Sequence, residues 1–376
     1  MSKISMWNMK TVLTVVLSVH ALVACGISLL APSSGEVVSL MTDRQREFVR
    51  LPREKRAIFF DDDHPDMERY VRTIGSEPRP VELKWVGIGK KFKVSVHKKG
   101  NEKAFFEAIV ATNCVYMWNL EIGESYVWTV CDSGENASSE FRTEELAPRL
   151  IRIPGERGTR GIPNFRDIGG RRVSSGRRVR QGMIYRSAGL NENSITNGVP
   201  GRARLSEFWR SYMTDTLGLR TDIDLRSDRE RSGMTCSPLG PNVRFVHDWD
   251  NYRGYAMIHD AGKDATRRIF RLLMDKNAYP LVFHCIGGAD RTGTVATLLH
   301  GILGASEEDI WLDYQVTAWC AGINDAKHLK WFKSMIRSFD KFEGETLSQR
   351  ICAYFRSIGF TDADLDCIRE ILLSPR

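Results

Sequence analysis

The chain of 376 residues has room for two domains and a tail. Its 42% hydrophobic and 27% charged content is that of ordinary globular protein and excludes a disordered or fibrous chain. A net charge of +7 raises nucleic acid as a partner, but the arginines crowd between Arg149 and Arg186, interleaved with Gly and Ser and lacking an aromatic platform. An anionic substrate or a solvated surface explains them better, and no nucleic acid is expected.

The N-terminus opens with Lys3 and Lys10 ahead of the apolar run "TVLTVVLSVHALVAC", the pattern of an export signal. Its "LVAC" ending resembles a bacterial lipoprotein box, which implies a signal over 1–24 and lipid on Cys25. The alternative is a transmembrane anchor, because "GISLLAP" prolongs the apolar run. Either reading places the protein outside the cytoplasm on a membrane. Residues 25–78 read as a tether and irregular segment. Within it Asp61, Asp62, Asp63 and His64 form a superficially metal-like run. Consecutive carboxylates point in different directions, so a solvated face is expected and no metal.

Residues 79–148 read as a small all-β domain: "VELKWVG", "KFKVSVHKK", "KAFFEAIV", "CVYMWNL", "SYVWTVC" and "SSEFRTE" alternate or run apolar between turns. "NLEIGESYVWTV" is similar to the strand-corner segment of fibronectin type III domains. Leu120, Gly123 and Tyr126 stand at the spacing at which a tyrosine phenol bonds back to the preceding turn. The resemblance implies a β-sandwich, with spacing or binding as its task.

Residues 149–376 alternate α and β. A helix over "RARLSEFWRSYMTDTLG", strands at "TDIDL" and "NVRFVH" and a helix over "DATRRIFRLLMDK" precede a strand at "LVF". Strands joined by helices predict a parallel-sheet core flanked by helices. Helices follow over "SEEDIWLDYQVTAW", with Ser306 as N-cap, "AKHLKWFKSMIRSF", "TLSQRICAYFRSIG" and "TDADLDCIREILL", the last capped by Thr361.

The chemistry concentrates in "LVFHCIGGADRTGT", a buried strand, a glycine-rich loop and a helix start. Such a loop presents unpaired amides and the positive end of a helix dipole, an anion cradle suited to phosphate. Cys285 opens the loop, where a cysteine serves as a thiolate nucleophile. Arg291 closes it with a planar fork that holds two phosphate oxygens. Ile286, Gly287, Gly288 and Ala289 supply the backbone, and Thr292 a hydroxyl for the sulfur. His284 is expected to support the loop rather than act as a base.

"HCIGGADRTG" resembles the signature of the cysteine-dependent protein tyrosine phosphatases, in the bacterial branch with phosphotyrosine and lipid phosphatase activity. "IPNFRDIGG", "IYRSAGL" and "DLRSDRE" are similar to that branch's upstream blocks, in order, and the first adds Arg166 and Asp167 as supporting residues. The resemblance implies a phosphatase without cofactor that forms a cysteinyl-phosphate and acts on phosphotyrosine proteins or peptides. Asp290 matches the branch's loop aspartate. It is either the general acid or an anchor that orients Arg291. Asp248, Asp250 and Asp260 are the other candidates for the acid. Many members carry Lys where this chain has Ala289, which favours phosphotyrosine over phosphoinositides. A phosphoinositide or inositol phosphate phosphatase is the alternative enzyme. A silent phosphopeptide-binding module is the alternative of another class, against which intact Cys285, Asp290 and Arg291 speak.

Of the remaining cysteines, Cys114 and Cys131 are candidates to pair in an oxidising compartment. Cys236, Cys320, Cys352 and Cys367 read as buried single thiols.

Overall fold

The computed structural model describes residues 26–60, 74–132, 134–152, 162–190, 205–231, 233–247, 259–323 and 325–375. The signal, Cys25 and the run Asp61–His64 lie outside them. Among the described residues no helix is long and apolar enough to cross a membrane. The chain forms two compact units. One combines the segment ending at Ser39 with Pro80–Glu144; the other combines Leu40–Arg79 with the chain from Glu145 onward.

The first unit is all β. A three-stranded antiparallel sheet takes β1 (Ser28–Ala31), β3 (Val81–Val86) and β6 (Cys114–Met117) in the order β1-β3-β6. A five-stranded sheet orders β2 (Glu36–Val38), β8 (Glu135–Thr143), β7 (Ser125–Asp132), β4 (Phe92–Lys98) and β5 (Ala104–Val110). Alternation in β3, β4 and β7 buries Leu83, Trp85, Val94, Val96, Trp128 and Val130. Trp85 of the smaller sheet meets Phe92 of the larger edge-on at 5.5 Å. The Tyr126 hydroxyl accepts the Glu121 amide at 2.9 Å, and Gly123 between them takes a φ of 68°. Cys114 and Cys131 are free thiols on strands of different sheets.

The second unit is mixed α/β. Its sheet runs in the order β13 (Arg244–Val246), β12 (Thr221–Asp224), β14 (Leu281–His284), β11 (Ile184–Ser187), β10 (Arg166–Asp167), β9 (Arg149–Leu150). The first four are parallel; β10 and β9 add antiparallel at one side, so the sheet is mixed rather than parallel throughout. β14 is central and buried along its length, as its unbroken apolar run requires.

The expected tether over 25–78 is instead structured where it is described. Residues 28–38 supply two strands of the β unit, and the following stretch belongs to the mixed α/β unit. Helices α1 (Asp43–Arg50) and α2 (Arg53–Ala57) and a 3₁₀ turn (Ile58–Phe60) bury Phe48, Val49, Phe59 and Phe60. Thr42 and Gln45 form a reciprocal capping box at the start of α1.

The predicted helix over "RARLSEFWRSYMTDTLG" is α3 (Glu207–Ser211) continued by a π-helical turn, Tyr212–Thr216. The remaining helices are α4 (Asp228–Arg231), α5 (Asp260–Leu272), α6 (Asp290–Leu303), α7 (Glu307–Gln315), α8 (Thr317–Cys320), α9 (Ala326–Arg337), α10 (Leu347–Ser357) and α11 (Asp362–Leu372). Ser306, Thr346 and Thr361 cap α7, α10 and α11 through their hydroxyls. Every residue from Thr292 to Leu303 of α6 is buried, so this helix is the axis of the unit. Burying Val295, Leu298, Leu299 and Ile302 contributes about 1.5–3 kcal/mol each. Its first turn is thereby fixed against the end of β14. Cys320 and Cys352 are buried as expected, whereas Cys367 is half-buried and Cys236, on a turn outside the core, is exposed.

Candidate active site

The loop from Cys285 to Ala289 joins β14 to α6 at the carboxyl ends of the parallel strands, where α/β sheets place ligands. Its carbonyls are tied from outside. The Ile286 carbonyl accepts the Gly189 amide at 3.0 Å, and that of Ala289 accepts the Gly293 amide at 2.7 Å. Asn164 Nδ2 donates to the carbonyls of Gly287, at 3.2 Å, and Gly288, at 2.8 Å. Arg186 Nη2 adds a second bond to Gly288, at 2.6 Å. In a trans peptide the N–H points away from the C=O. Outward carbonyls at residues 286–289 therefore turn the amides of Gly287, Gly288, Ala289 and Asp290 inward. Among the described residues none of these four amides has an acceptor. Gly288, at φ 67°, makes the tightest bend, and a Cβ there would lie 2.5 Å from the Ser187 carbonyl oxygen.

The ties rest on a buried ion network. Arg166 and Arg186 face each other across β10 and β11. Like charges in register repel, and Asp313 of α7 resolves the conflict. Its carboxylate takes Arg166 Nε at 3.1 Å and Arg186 Nη1 on the other oxygen. Burial opposes the Asp313 charge, but Arg186 and Arg166 outweigh it and hold the carboxyl far below the usual range. Asp167 does not join the cradle. Buried on β10, it accepts Arg149 at 2.6 Å and the amides of Gly169 and Gly182 at 2.7 Å each, tying the turns at that side of the sheet.

Cys285 is buried as a free thiol at the head of the loop. Its neighbour His284 is fully buried, with Nε2 2.9 Å from Asp222 Oδ1 and Nδ1 3.7 Å from Asp224 Oδ1. Burial works against the imidazolium, but Asp224 and Asp222 prevail and raise its pKa. Asp224 in turn holds Arg226 through contacts of 2.6–3.0 Å. The Thr292 hydroxyl and Arg226 Nη1 are buried with no hydrogen-bond partner among the described residues.

Arg291 lies just inside α6, and its fork is braced by Glu230 of α4, Nη1 to Oε2 at 2.5 Å and Nη2 to Oε1 at 2.9 Å. Burial disfavours the guanidinium charge, but the Glu230 bonds and the proximity of Cys285 raise its pKa. Ser227 fixes Glu230 through its amide, at 2.8 Å, and its hydroxyl, at 3.0 Å.

Asp290 is not the partner of Arg291. One carboxylate oxygen lies 2.9 Å from His328 Nδ1 and the other 3.2 Å from the Tyr314 hydroxyl. Of the other expected acids, Asp248 and Asp250 lie outside the described residues. Asp260 begins α5 almost fully exposed, paired with Lys263 at 3.2 Å. Ala289 is buried, so a lysine there would have to thread its stem out of the packed loop base.

Sequence reasoning missed Asn164, Arg186, Asp222, Asp224, Glu230 and Asp313 as members of this site. Five lie within or two residues from the recognised blocks; Asp313 is set in an ordinary helical pattern and gives no signal.

Residues 158–374 match the model of the tyrosine phosphatase family. A protein of Cupriavidus necator named "Putative tyrosine-protein phosphatase" is 30% identical over 175 aligned residues, covering 41% of this chain and 59% of that protein. The chain thus spans less than two thirds of that relative's length.

Proposed function

The chain belongs to the tyrosine phosphatase family, and from that premise we propose that it hydrolyses phosphotyrosine in proteins or peptides through a cysteinyl-phosphate. The observation that carries this reading is the loop with every carbonyl from Ile286 to Ala289 tied outward and Cys285 and Arg291 at its two ends. The inward amides and the Arg291 fork hold the three phosphoryl oxygens. The Cys285 sulfur attacks phosphorus and the P–O bond to the tyrosine breaks. Asp290 gives its proton to the departing phenolate oxygen. Water then attacks the phosphorus of the cysteinyl-phosphate and passes a proton to Asp290, the S–P bond breaks, and inorganic phosphate and the free thiolate result. Glu230 orients Arg291, which leaves Asp290 available as the acid. The Thr292 hydroxyl, without a hydrogen-bond partner among the described residues, donates to the sulfur as negative charge returns to it.

Ala289 supplies no second cation for a multiply phosphorylated ring, which supports phosphotyrosine over an inositol phosphate. The three- and five-stranded sheets and the Tyr126 corner support a fibronectin type III-like sandwich ahead of the catalytic unit. "LVAC" supports export and lipid anchoring at Cys25.

Cys285→Ser should abolish turnover and keep substrate binding, and Arg291→Ala should lose both. Vanadate should inhibit, and chelators should have no effect. Phosphotyrosine peptides and inositol phosphates assayed side by side should favour the peptide. Metal-dependent hydrolysis that survives in Cys285→Ser would overturn the mechanism, and preferred inositol phosphate hydrolysis would overturn the substrate.

A further inference from the structure

Asp290 sits in the first turn of α6, yet both of its oxygens are engaged by side chains from elsewhere in the fold. His328 of α9 places Nδ1 2.9 Å from Oδ2, and Tyr314 of α7 places its hydroxyl 3.2 Å from Oδ1. The same hydroxyl is 2.9 Å from the His328 backbone carbonyl, so the two groups brace each other. Tyr314 stacks on Phe332 at 3.9 Å between centroids, and the His328 ring meets Trp331 edge-on at 5.2 Å. Asp325, the N-cap of α9, is the other carboxylate in the field of His328. Neither Arg291 nor another cation of the loop takes up Asp290.

We infer that His328 is the positioning residue of the proton donor: its Nδ1–H fixes the plane of the Asp290 carboxyl and supports the carboxylate formed when the proton leaves. The inference rests on the reading of Asp290 as the acid. As the P–O bond breaks, its electron pair goes to the phenol oxygen and the Asp290 proton follows. The carboxylate left behind accepts Nδ1–H of His328; the one proton of the Tyr314 hydroxyl is held by the His328 carbonyl at 2.9 Å. The carboxylate takes the proton back from water in the second step, so His328 ends the cycle as it began. The His328 bond to Oδ2, with the Tyr314 hydroxyl 3.2 Å from Oδ1, holds the carboxyl against rotation about its terminal bond. A donor so fixed is worth most when the leaving group is poor.

The test compares kcat/KM, which reports the P–O cleavage step, for a phosphotyrosine peptide and for p-nitrophenyl phosphate, whose leaving group departs readily without an acid. His328→Phe should lower the value for the peptide about 10- to 100-fold, within the range of general acid contributions, and change that for p-nitrophenyl phosphate only about twofold. His328→Asn, whose Nδ2 stands in for Nδ1, should restore most of the loss and guards against misfolding of the first variant. Asp290→Asn should show the same leaving-group dependence, more strongly. Equal losses on both esters in His328→Phe, with Asp290→Asn still selective, would overturn the inference alone. Absence of selectivity in Asp290→Asn would overturn the acid assignment, and with it this role. A wild type inactive on both esters would overturn the phosphatase reading itself.

Discussion

Gly288 and Gly287 are adjacent glycines under different constraints. A Cβ at Gly288 would meet the backbone of Ser187 at 2.5 Å, whereas one at Gly287 would meet only the far end of the Ile323 side chain, also at 2.5 Å. Backbone cannot move aside and a side-chain tip can. Gly288→Ala should therefore lose more than about 100-fold in kcat/KM, or about 2.7 kcal/mol, and Gly287→Ala less than about tenfold; steady-state kinetics on both variants decide this. His284 yields a second test. Its folded pKa is raised, so its pairing contributes fully below about 6.5 and fades as pH climbs through the folded value. Asp224 is lowered, so its share is full above about 3.9 and fades as pH falls through the folded value. Both are full between about pH 4 and 6.5. The Tm difference between wild type and Asp222→Asn, measured by calorimetry across pH, should be largest there and shrink on the alkaline side. Much of the site was legible in the sequence because a local run carries it: Cys285 to Thr292 are consecutive and their chemistry follows from spacing. Glu230 and Asp313 were not, because they reach the loop by tertiary contact, and a carboxylate on a helix otherwise reads as a solvated face.

The segment Leu40–Phe60 shows what patterning concealed among the larger elements. Charges are interspersed through it as densely as apolar residues, which reads as irregular, yet one of those charges is its anchor. Arg56 is buried, with Nε on Gln315 Oε1 at 2.7 Å and its other nitrogens on the carbonyls of Val49 and Leu51 and on Glu308. Gln315 returns a bond to the Arg53 carbonyl at 3.0 Å. Arg56→Ala would leave the Gln315 oxygen buried and unpaired. It should cost about 1–3 kcal/mol in urea unfolding, and adding Gln315→Leu should recover part of that. The capping box Thr42–Gln45 and the pair Phe48–Val49 were present in the sequence as a helix signal; a buried arginine has no such signature. Strands β12, β13 and β14 and helices α5, α6, α7, α9, α10 and α11 were legible from periodicity and caps, whereas β11 and α4 were not read as elements. The antiparallel additions β9 and β10 were not, since two-residue strands are too short to show a period.

The molecule is divided into two units that share one chain unevenly, and each should answer to its own substitutions. Tyr126→Phe removes the bond to the Glu121 amide and should destabilise the β unit by about 0.5–1.5 kcal/mol with kcat/KM unchanged. Phe48→Ala removes a ring that meets Trp319 edge-on at 6.0 Å. It should cost about 3–5 kcal/mol and lower activity with stability; differential scanning calorimetry paired with an assay separates the two. The chain passes from the first unit to the second at residue 40, back at 80 and forward again at 145. A ribosome therefore delivers Arg56 long before Gln315, which lies 259 residues later. At about 5–20 residues per second, Phe48, Phe59 and Phe60 spend roughly ten to fifty seconds outside the tunnel before their cover exists. By then the rest of the β unit, Pro80–Glu144, has been made between them and their partners. The nascent chain is in that interval a client for whatever holds apolar segments apart, and the loop at Cys285, with Asp290 next to it, is itself made only in the last third of the chain.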